Sequence, residues 1–407
     1  MKTDGNNWSP RLGLAIRPFA NATTVLRVGY GMYSQMWPGS LALDATTSGP
    51  WQSTQSFFIE GNHPSIRFPN PFLTTSDFSG LQDIAGLSVR FPNERTSQWN
   101  VSAGRQIWNT AIEVSYVGSK GQNIPFVQDL NLLYPSTEPY SSSRRPYQRF
   151  NSVNFTQSGG SSIYHGMNIQ AERRVSQGLS FNVNYTWAKA LTDVSLTNYK
   201  AGFTQNQYAR YLERAEDDWV RRQQFRFSYV YELPFGKGKK LLNSVPTAAN
   251  YILGGWQLSG ITTMSTGKRL SPSFSGTDPA NTNQLGGRPD RVGDGNLDSG
   301  GMRDRIKSGQ RIFDSAAFVQ PQTGRGFYGN SARDILTGPG AATWNTVLAK
   351  NFALKESVRL QFRWEMFNAF NRTNFNNPST NISGGDFGLV TAAGNMRKML
   401  FGLRLDY

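Results

Sequence analysis

The sequence predicts an all-β protein, an antiparallel transmembrane β-barrel. Three observations predict it: repeated two-residue alternation, runs of membrane-crossing length, and connections that are short and long in turn. Strand side chains point to opposite faces in succession, so a strand with lipid on one side and a polar interior on the other reads apolar, polar, apolar.

Near the start, TVLRVGYGMY groups Leu26, Val28, Tyr30 and Met32 on one face, with Arg27, Gly29 and Gly31 behind them. TAIEVSYVG opposes Ile112, Val114 and Tyr116 to Glu113 and Ser115. SFNVNYTWA sets Phe181, Val183, Tyr185 and Trp187 against Asn182, Asn184 and Thr186, and QFRFSYVYEL sets Phe225, Phe227, Tyr229 and Tyr231 against Arg226, Ser228 and Glu232. In VRLQFRWEMFNAF, Val358, Leu360, Phe362, Trp364 and Met366 oppose Arg359, Gln361, Arg363 and Glu365. The closing RKMLFGLRLDY places Met399, Phe401, Leu403, Leu405 and Tyr407 together, and Lys398, Leu400, Gly402, Arg404 and Asp406 opposite.

Further strands are expected near 10–18, 95–107, 161–174, 255–266, 343–353 and 396–407, for about eleven crossings in all. Most are close to the ~9–11 residues that a tilted strand needs to cross hydrocarbon. Tyr33, Trp99, Trp108, Trp187, Trp219, Trp256, Trp344 and Tyr407 fall near strand ends, as interfacial girdles require.

Connections are short at PFANA, WNT, VSQG and ALKES, middling at PFGKGKK, and long near 35–94, 121–160, 191–218, 267–342 and 371–394. One rim of an outer-membrane barrel carries tight periplasmic turns and the other extended extracellular loops. The long loops are rich in Gly, Pro, Ser, Asn and Thr and are expected to be irregular, with a short helix possible in QYARYLERAEDDW at 207–219.

Composition removes several function classes. Hydrophobic residues make up 38%, mean hydropathy is -0.49, and no apolar run approaches the roughly 18 residues of a spanning helix. With no cysteine, disulfides, cysteine zinc sites and thiol chemistry are excluded. Lys and Arg outnumber Asp and Glu by 42 to 27, but apart from short clusters such as Arg144-Arg145, Arg221-Arg222 and KGKK at 237–240 the cations are spread singly with no basic helix, so no nucleic-acid partner is expected. Arg27, Arg226, Arg359, Arg363 and Glu365 are the candidate lumen-lining residues. Burying such arginines in the dry core of a soluble protein costs several kcal/mol apiece unless each is paired.

No catalytic residue, cofactor or resident metal is expected. GRGFYG at 324–329 has the spacing of a dinucleotide loop without the strand and helix that such a loop joins. DGNLDSG places Asp294, Asn296 and Asp298 at calcium-loop spacing, but its glycine comes late and Arg305 stands where the bidentate acid belongs. That excludes an EF-hand and leaves a looser calcium site open. Glu113, Glu232 and Glu365 are expected to pair with Arg359 or Arg363 rather than to do acid-base work, and His165 to lie on a strand face or rim.

The stretches NNWSPRLGLAIRP, TTVLRVGYGMYS, GLSFNVNYTWAKALTD, FSYVYELPFGKGK, GGWQLSGITTMSTGKRLSP and FGLRLDY resemble the TonB-dependent outer-membrane receptors, in particular the branch with an Oar-like barrel. The resemblance spans nearly the whole chain. It implies energy-coupled uptake or surface binding of a bulky ligand, with TonB and the barrel-assembly machinery as partners alongside outer-membrane lipid and lipopolysaccharide. It implies also a barrel of about 22 strands, of which this chain is the C-terminal part, with plug domain and signal peptide lying elsewhere. Strand parity points the same way, because an odd number of crossings leaves the two ends on opposite sides. The last strand, Met399 to Tyr407, is then expected to close the barrel against the first, facing lipid through its apolar residues.

Trp37, Trp51, Phe57 and Phe58 in the first long loop are weak candidates for stacking on a sugar or gripping a peptide. The alternative readings are an adhesive or structural outer-membrane barrel and a soluble all-β binding protein.

Overall fold

The computed structural model describes residues 4–19, 23–36, 81–194, 204–353 and 358–407. Eleven strands follow one another across a single antiparallel sheet in chain order. They are β1 Arg11–Ile16, β2 Thr24–Gln35, β3 Glu94–Ile107, β4 Thr110–Asp129, β5 Phe150–Ser176 and β6 Leu179–Thr192. The meander continues through β7 Gln223–Glu232, β8 Trp256–Ser265, β9 Ala341–Ala353, β10 Arg359–Phe367 and β11 Lys398–Asp406. The count and nearly all the positions agree with the alternation pattern. Among the described residues no helix is long and apolar enough to span a membrane.

Register shows why the alternation matters. Leu14, Val28, Val101, Tyr116, Met167 and Trp187 are successive cross-strand partners from β1 to β6. Tyr185, Phe225, Met264 and Ala342 continue the same face from β6 to β9, and Leu348, Trp364 and Phe401 carry it to β11. One face is therefore apolar along its whole width. Many of its side chains, among them Leu12, Leu14, Val28, Val101, Trp187, Ile16 and Phe401, are exposed. In water such a surface would drive aggregation; in a bilayer it is the lipid contact.

Two tight turns show the sequence chemistry of the short rim. Trp108 between β3 and β4, and Gln177-Gly178 between β5 and β6, adopt φ of 50°, 53° and 78°, the left-handed backbone that two-residue hairpins need.

The structure departs from expectation at three places. First, β4 and β5 run far beyond the membrane: the stretch 121–160, read as a loop, is strand except for 130–149. Above the bilayer both faces meet water or protein, so the lipid-facing half of the pattern disappears and polar residues occupy a regular ladder. The extension holds bulges near Ile124 and is tightly packed: a Cβ on Gly160 would lie 2.2 Å from Val194 Cγ2 and 2.8 Å from the Ile124 carbonyl oxygen. Second, the short strand Gln82–Leu87 pairs parallel to this extension of β5, against the all-antiparallel expectation. Third, Tyr33 is not on the lipid face. It shares the face of Arg27 and Gly31, and the Arg11 guanidinium sits 4.5 Å above its ring. Among the described residues β11 pairs only with β10 and β1 only with β2, so the sheet has two open edges, which fits the expected part of a larger barrel.

Candidate functional site

Opposite the lipid face lies a polar one. Glu113, Gln170, Asn184, Arg226, Thr263 and Thr343 are successive partners across six strands. Arg27 pairs with Glu113 at 3.0 Å and Arg363 with Glu365 at 2.9 Å. Arg226 and Arg359 also lie on this face, and among the described residues neither is ion-paired with a carboxylate; Asp406, the register partner of Arg359, binds Arg404 instead. Glu232, at the short-turn end, pairs with Lys239. All five lumen candidates thus share one face but do not converge on one point. A cleft of about 860 Å³ opens there, with Glu172, Arg174, Asn182, Arg363 and Glu365 on its walls.

On the long-loop rim the connections fold into a continuous layer rather than the irregular coils expected. Ile306, Ile312, Phe313, Ala317, Phe318, Leu336 and Phe387 form a buried core, and Leu270, Phe375, Ile382 and Val390 pack against it. These residues come from 266–340 and from 368–397, so two loops share one interior. Helix α2, which spans Met302–Lys307 and follows α1 at Thr247–Leu253, contributes Ile306. Short apolar clusters inside Gly- and Ser-rich sequence carry no periodicity, which is why the sequence did not reveal the core.

Ion pairs staple the other loops to this layer. Gln207–Glu213 forms a 3-10 helix inside the stretch expected to be helical, and its Glu213, 2% exposed, accepts two hydrogen bonds from Arg288 at 2.7 and 2.9 Å. Tyr134 and Tyr208 stack with centroids 3.6 Å apart, joining 130–149 to 204–222. Arg325 grips both oxygens of Asp290, and this contact holds the Asp290 carboxyl below its ordinary range. Burial pushes the Tyr328 hydroxyl up to about 12, although it donates to Thr282 Oγ1.

The motifs that looked chemical are used for packing. In GRGFYG, Gly324 and Gly326 take φ of 78° and 93°, and a Cβ on Gly326 would lie 2.9 Å from Thr137 Cγ2. The turn thereby locks 324–329 against 130–149. Both amide hydrogens of Asn296 are used, toward Asp294 Oδ1 and the Ile335 carbonyl, and its oxygen accepts from the Thr337 amide. His165 lies on a strand face, its Nδ1 2.7 Å from the Tyr116 hydroxyl.

A second cleft, about 640 Å³, lies within the loop layer, with Gln205, Asp218, Phe274, Leu285, Arg333 and Asp334 on its walls. Asp334 accepts from Ser271 Oγ and lies 3.2 Å from Arg333, yet burial outweighs both and raises its carboxyl above the ordinary range. Sequence reasoning missed these residues, which come from two loops and share no motif. Trp37, Trp51, Phe57 and Phe58 lie outside the described residues. Every residue of β11 is exposed, Phe401 and Leu403 at 69% and 73%, as is Tyr407 just beyond it at 98%.

Comparison with known proteins agrees with this geometry. The outer membrane transporter YddB from Escherichia coli superposes with a TM-score of 0.53 at 10% identity, over 98% of this chain and 40% of that one. BauA, the ferric preacinetobactin receptor from Acinetobacter baumannii, gives 0.43 at 11% identity over 98% of this chain and 36% of that one. The FrpB iron transporter from Neisseria meningitidis gives 0.43 at 10% identity over 97% and 38%. The chain thus spans well under half the length of these structures, and at such identity the first likeness shows the fold alone. No curated protein matches it in sequence. The description of the matching family model, an outer membrane beta barrel domain, covers residues 1–399 and fits a sheet with one apolar and one polar face: the chain belongs to that family and resides in the outer membrane.

Proposed function

We propose that the chain forms the ligand-capturing loops and part of the wall of a TonB-dependent receptor that takes up a bulky extracellular ligand. The observation that carries this reading is the folded loop layer, with its cleft beside Arg333 and Asp334, standing on a sheet whose inner face is polar. An adhesive barrel needs exposed loops; a cleft lined by charged and apolar groups suits capture of a molecule. The Oar-like branch, the energy coupling and further strands that complete the wall are parts of the same proposal. They rest on the stretches YTWAKALTD, YELPFGKG and GGWQLSGI, and on the two open sheet edges.

The test uses cells bearing the full-length protein and a labelled panel of oligosaccharides, peptides and ferric chelates. At least one member is expected to accumulate only when the energy-transducing protein is present. Surface binding with no energy-dependent accumulation would favour adhesion and overturn the transport reading.

A further inference from the structure

The β7–β8 connection, 233–255, lies on the short-turn rim, yet it is far longer than its neighbours and is folded. Its helix α1 has no side-chain cap at Pro246, and at seven residues it is too short to persist alone. It is held from its other end. Trp256 Nε1 donates to the Ile252 carbonyl at 2.9 Å, and Lys350 Nζ donates to the carbonyls of Ile252 and Gly254. Lys350 is only 5% exposed, its ammonium 4.7 Å from the Trp256 ring centre and 5.0 Å from that of Phe352. Asn250 Oδ1 accepts from the Lys237 amide at 2.7 Å, and Gly236 and Gly254 pack close to that same oxygen.

Register decides which side of the sheet this unit covers. Trp256 and Lys350 are cross-strand partners, Lys350 partners Phe362, and Phe362 partners Leu403. All stand on the apolar face. The helix therefore lies against the outside of the wall, continuous with the lipid-facing surface. From it project Phe235, Leu241, Leu242, Tyr251, Ile252 and Leu253, all exposed, with Ile252 at 70%. Near them in the chain are the exposed Lys237, Lys239 and Lys240; Lys239 is bound to Glu232 at the end of the polar face and Lys240 to Gln177 in the neighbouring turn. Arg105 and Arg173, register partners of Ile112 and Phe181, add cations on the same face near the same rim.

We propose that this connection is an in-plane anchor that docks on the phospholipid leaflet at the short-turn side, its apolar side chains entering the acyl layer and its lysines meeting lipid phosphates. An exposed apolar set rimmed by cations is the composition of an interfacial segment. Acidic headgroups complement the lysines and arginines, and the apolar set extends an existing lipid contact rather than starting a new one. Lys350 is a positioning residue: by holding the last helical carbonyls it fixes the depth at which the segment sits.

These 407 residues contain no cysteine, so a single introduced thiol, with any cysteine elsewhere in the full-length protein replaced by Ser, gives a direct test. The full-length protein carrying Ile252→Cys, or Gln322→Cys in the loop layer as control, is labelled with an environment-sensitive fluorophore and folded into phosphatidylcholine vesicles containing phosphatidylglycerol. The label at position 252 is expected to be quenched by acyl-brominated lipid and shielded several-fold from iodide, whereas that at 322 shows the reverse. Equal iodide quenching at both positions would overturn the proposal. So would shielding without bromine quenching, which would mean that protein, not lipid, covers the segment. Replacing Lys237, Lys239 and Lys240 by Gln is expected to reduce several-fold the acceleration of insertion that phosphatidylglycerol gives; an unchanged acceleration would refute the role assigned to these lysines.

Discussion

Arg288 and Glu213 show how a single pair can hold two loops. The Glu213 carboxylate is buried and receives both guanidinium hydrogen bonds, so removing one partner strands the other charge out of water. Glu213→Gln is expected to cost about 3–5 kcal/mol of loop-layer stability, whereas a double replacement by apolar residues costs much less. Limited proteolysis of 204–222 and 267–340 in the folded barrel reads both effects. Asp290 carries a pH dependence whose sign follows from its lowered pKa, caused first by the Arg325 hydrogen bonds. Its stabilisation is fully present above the unfolded carboxylate range near pH 4 and is lost as pH falls through the lower folded value. Asp334, raised by burial, acts oppositely: it favours the layer below the unfolded range and loses that contribution as pH rises through its raised folded value. Asp290→Asn should therefore abolish part of the acid-side loss of protease resistance; an identical acid profile would show that the pair contributes nothing.

At the scale of elements, the strands divide into a membrane part and an extramembrane part. Within the bilayer every strand alternates because lipid and lumen demand opposite chemistry. Beyond it, β4 and β5 continue as a ladder whose only sequence marks are Gly160 and the buried Pro125. The last strand poses a different problem, since Tyr407 is 98% exposed and its removal costs the described fold no packing. Tyr407→Ser should accordingly leave the stability of the assembled protein within about 0.5 kcal/mol of the original. If the assembly machinery reads this aromatic end, the same change lowers the yield of heat-modifiable barrel in cells. Equal yield would remove the assembly role.

For the whole molecule the governing fact is that hydrocarbon leaves no water to satisfy a free strand edge. Both β1 and β11 present such an edge among the described residues. On the proposal that further strands complete the wall, hydrogen exchange in the full-length protein should find the amides of Lys398–Asp406 protected on both sides. Rapid exchange at alternate residues would show an open edge and defeat the closure. The same constraint explains why the soluble reading fails: an apolar face eleven strands wide has no partner in water.

What the sequence determined by itself was the wall. Period-two alternation is a local property, legible from residues such as Phe225 to Tyr231 without knowledge of their neighbours, and the membrane imposes it strand by strand. Most short and long connections likewise read directly, as did the pair of Glu365 with Arg363, whereas Glu113 pairs with Arg27 rather than with Arg359 or Arg363. Only the tertiary structure decided the rest. The loop core joins Phe313 to Phe387 across more than seventy residues, the cleft gathers Gln205, Asp218 and Asp334 from two connections, and Lys350 finds the carbonyls of α1 almost one hundred residues away. The cleft residues Gln205 and Asp218 come from β6–β7 and Asp334 from β8–β9, and such contacts depend on chain closure over long separations, which no local period records.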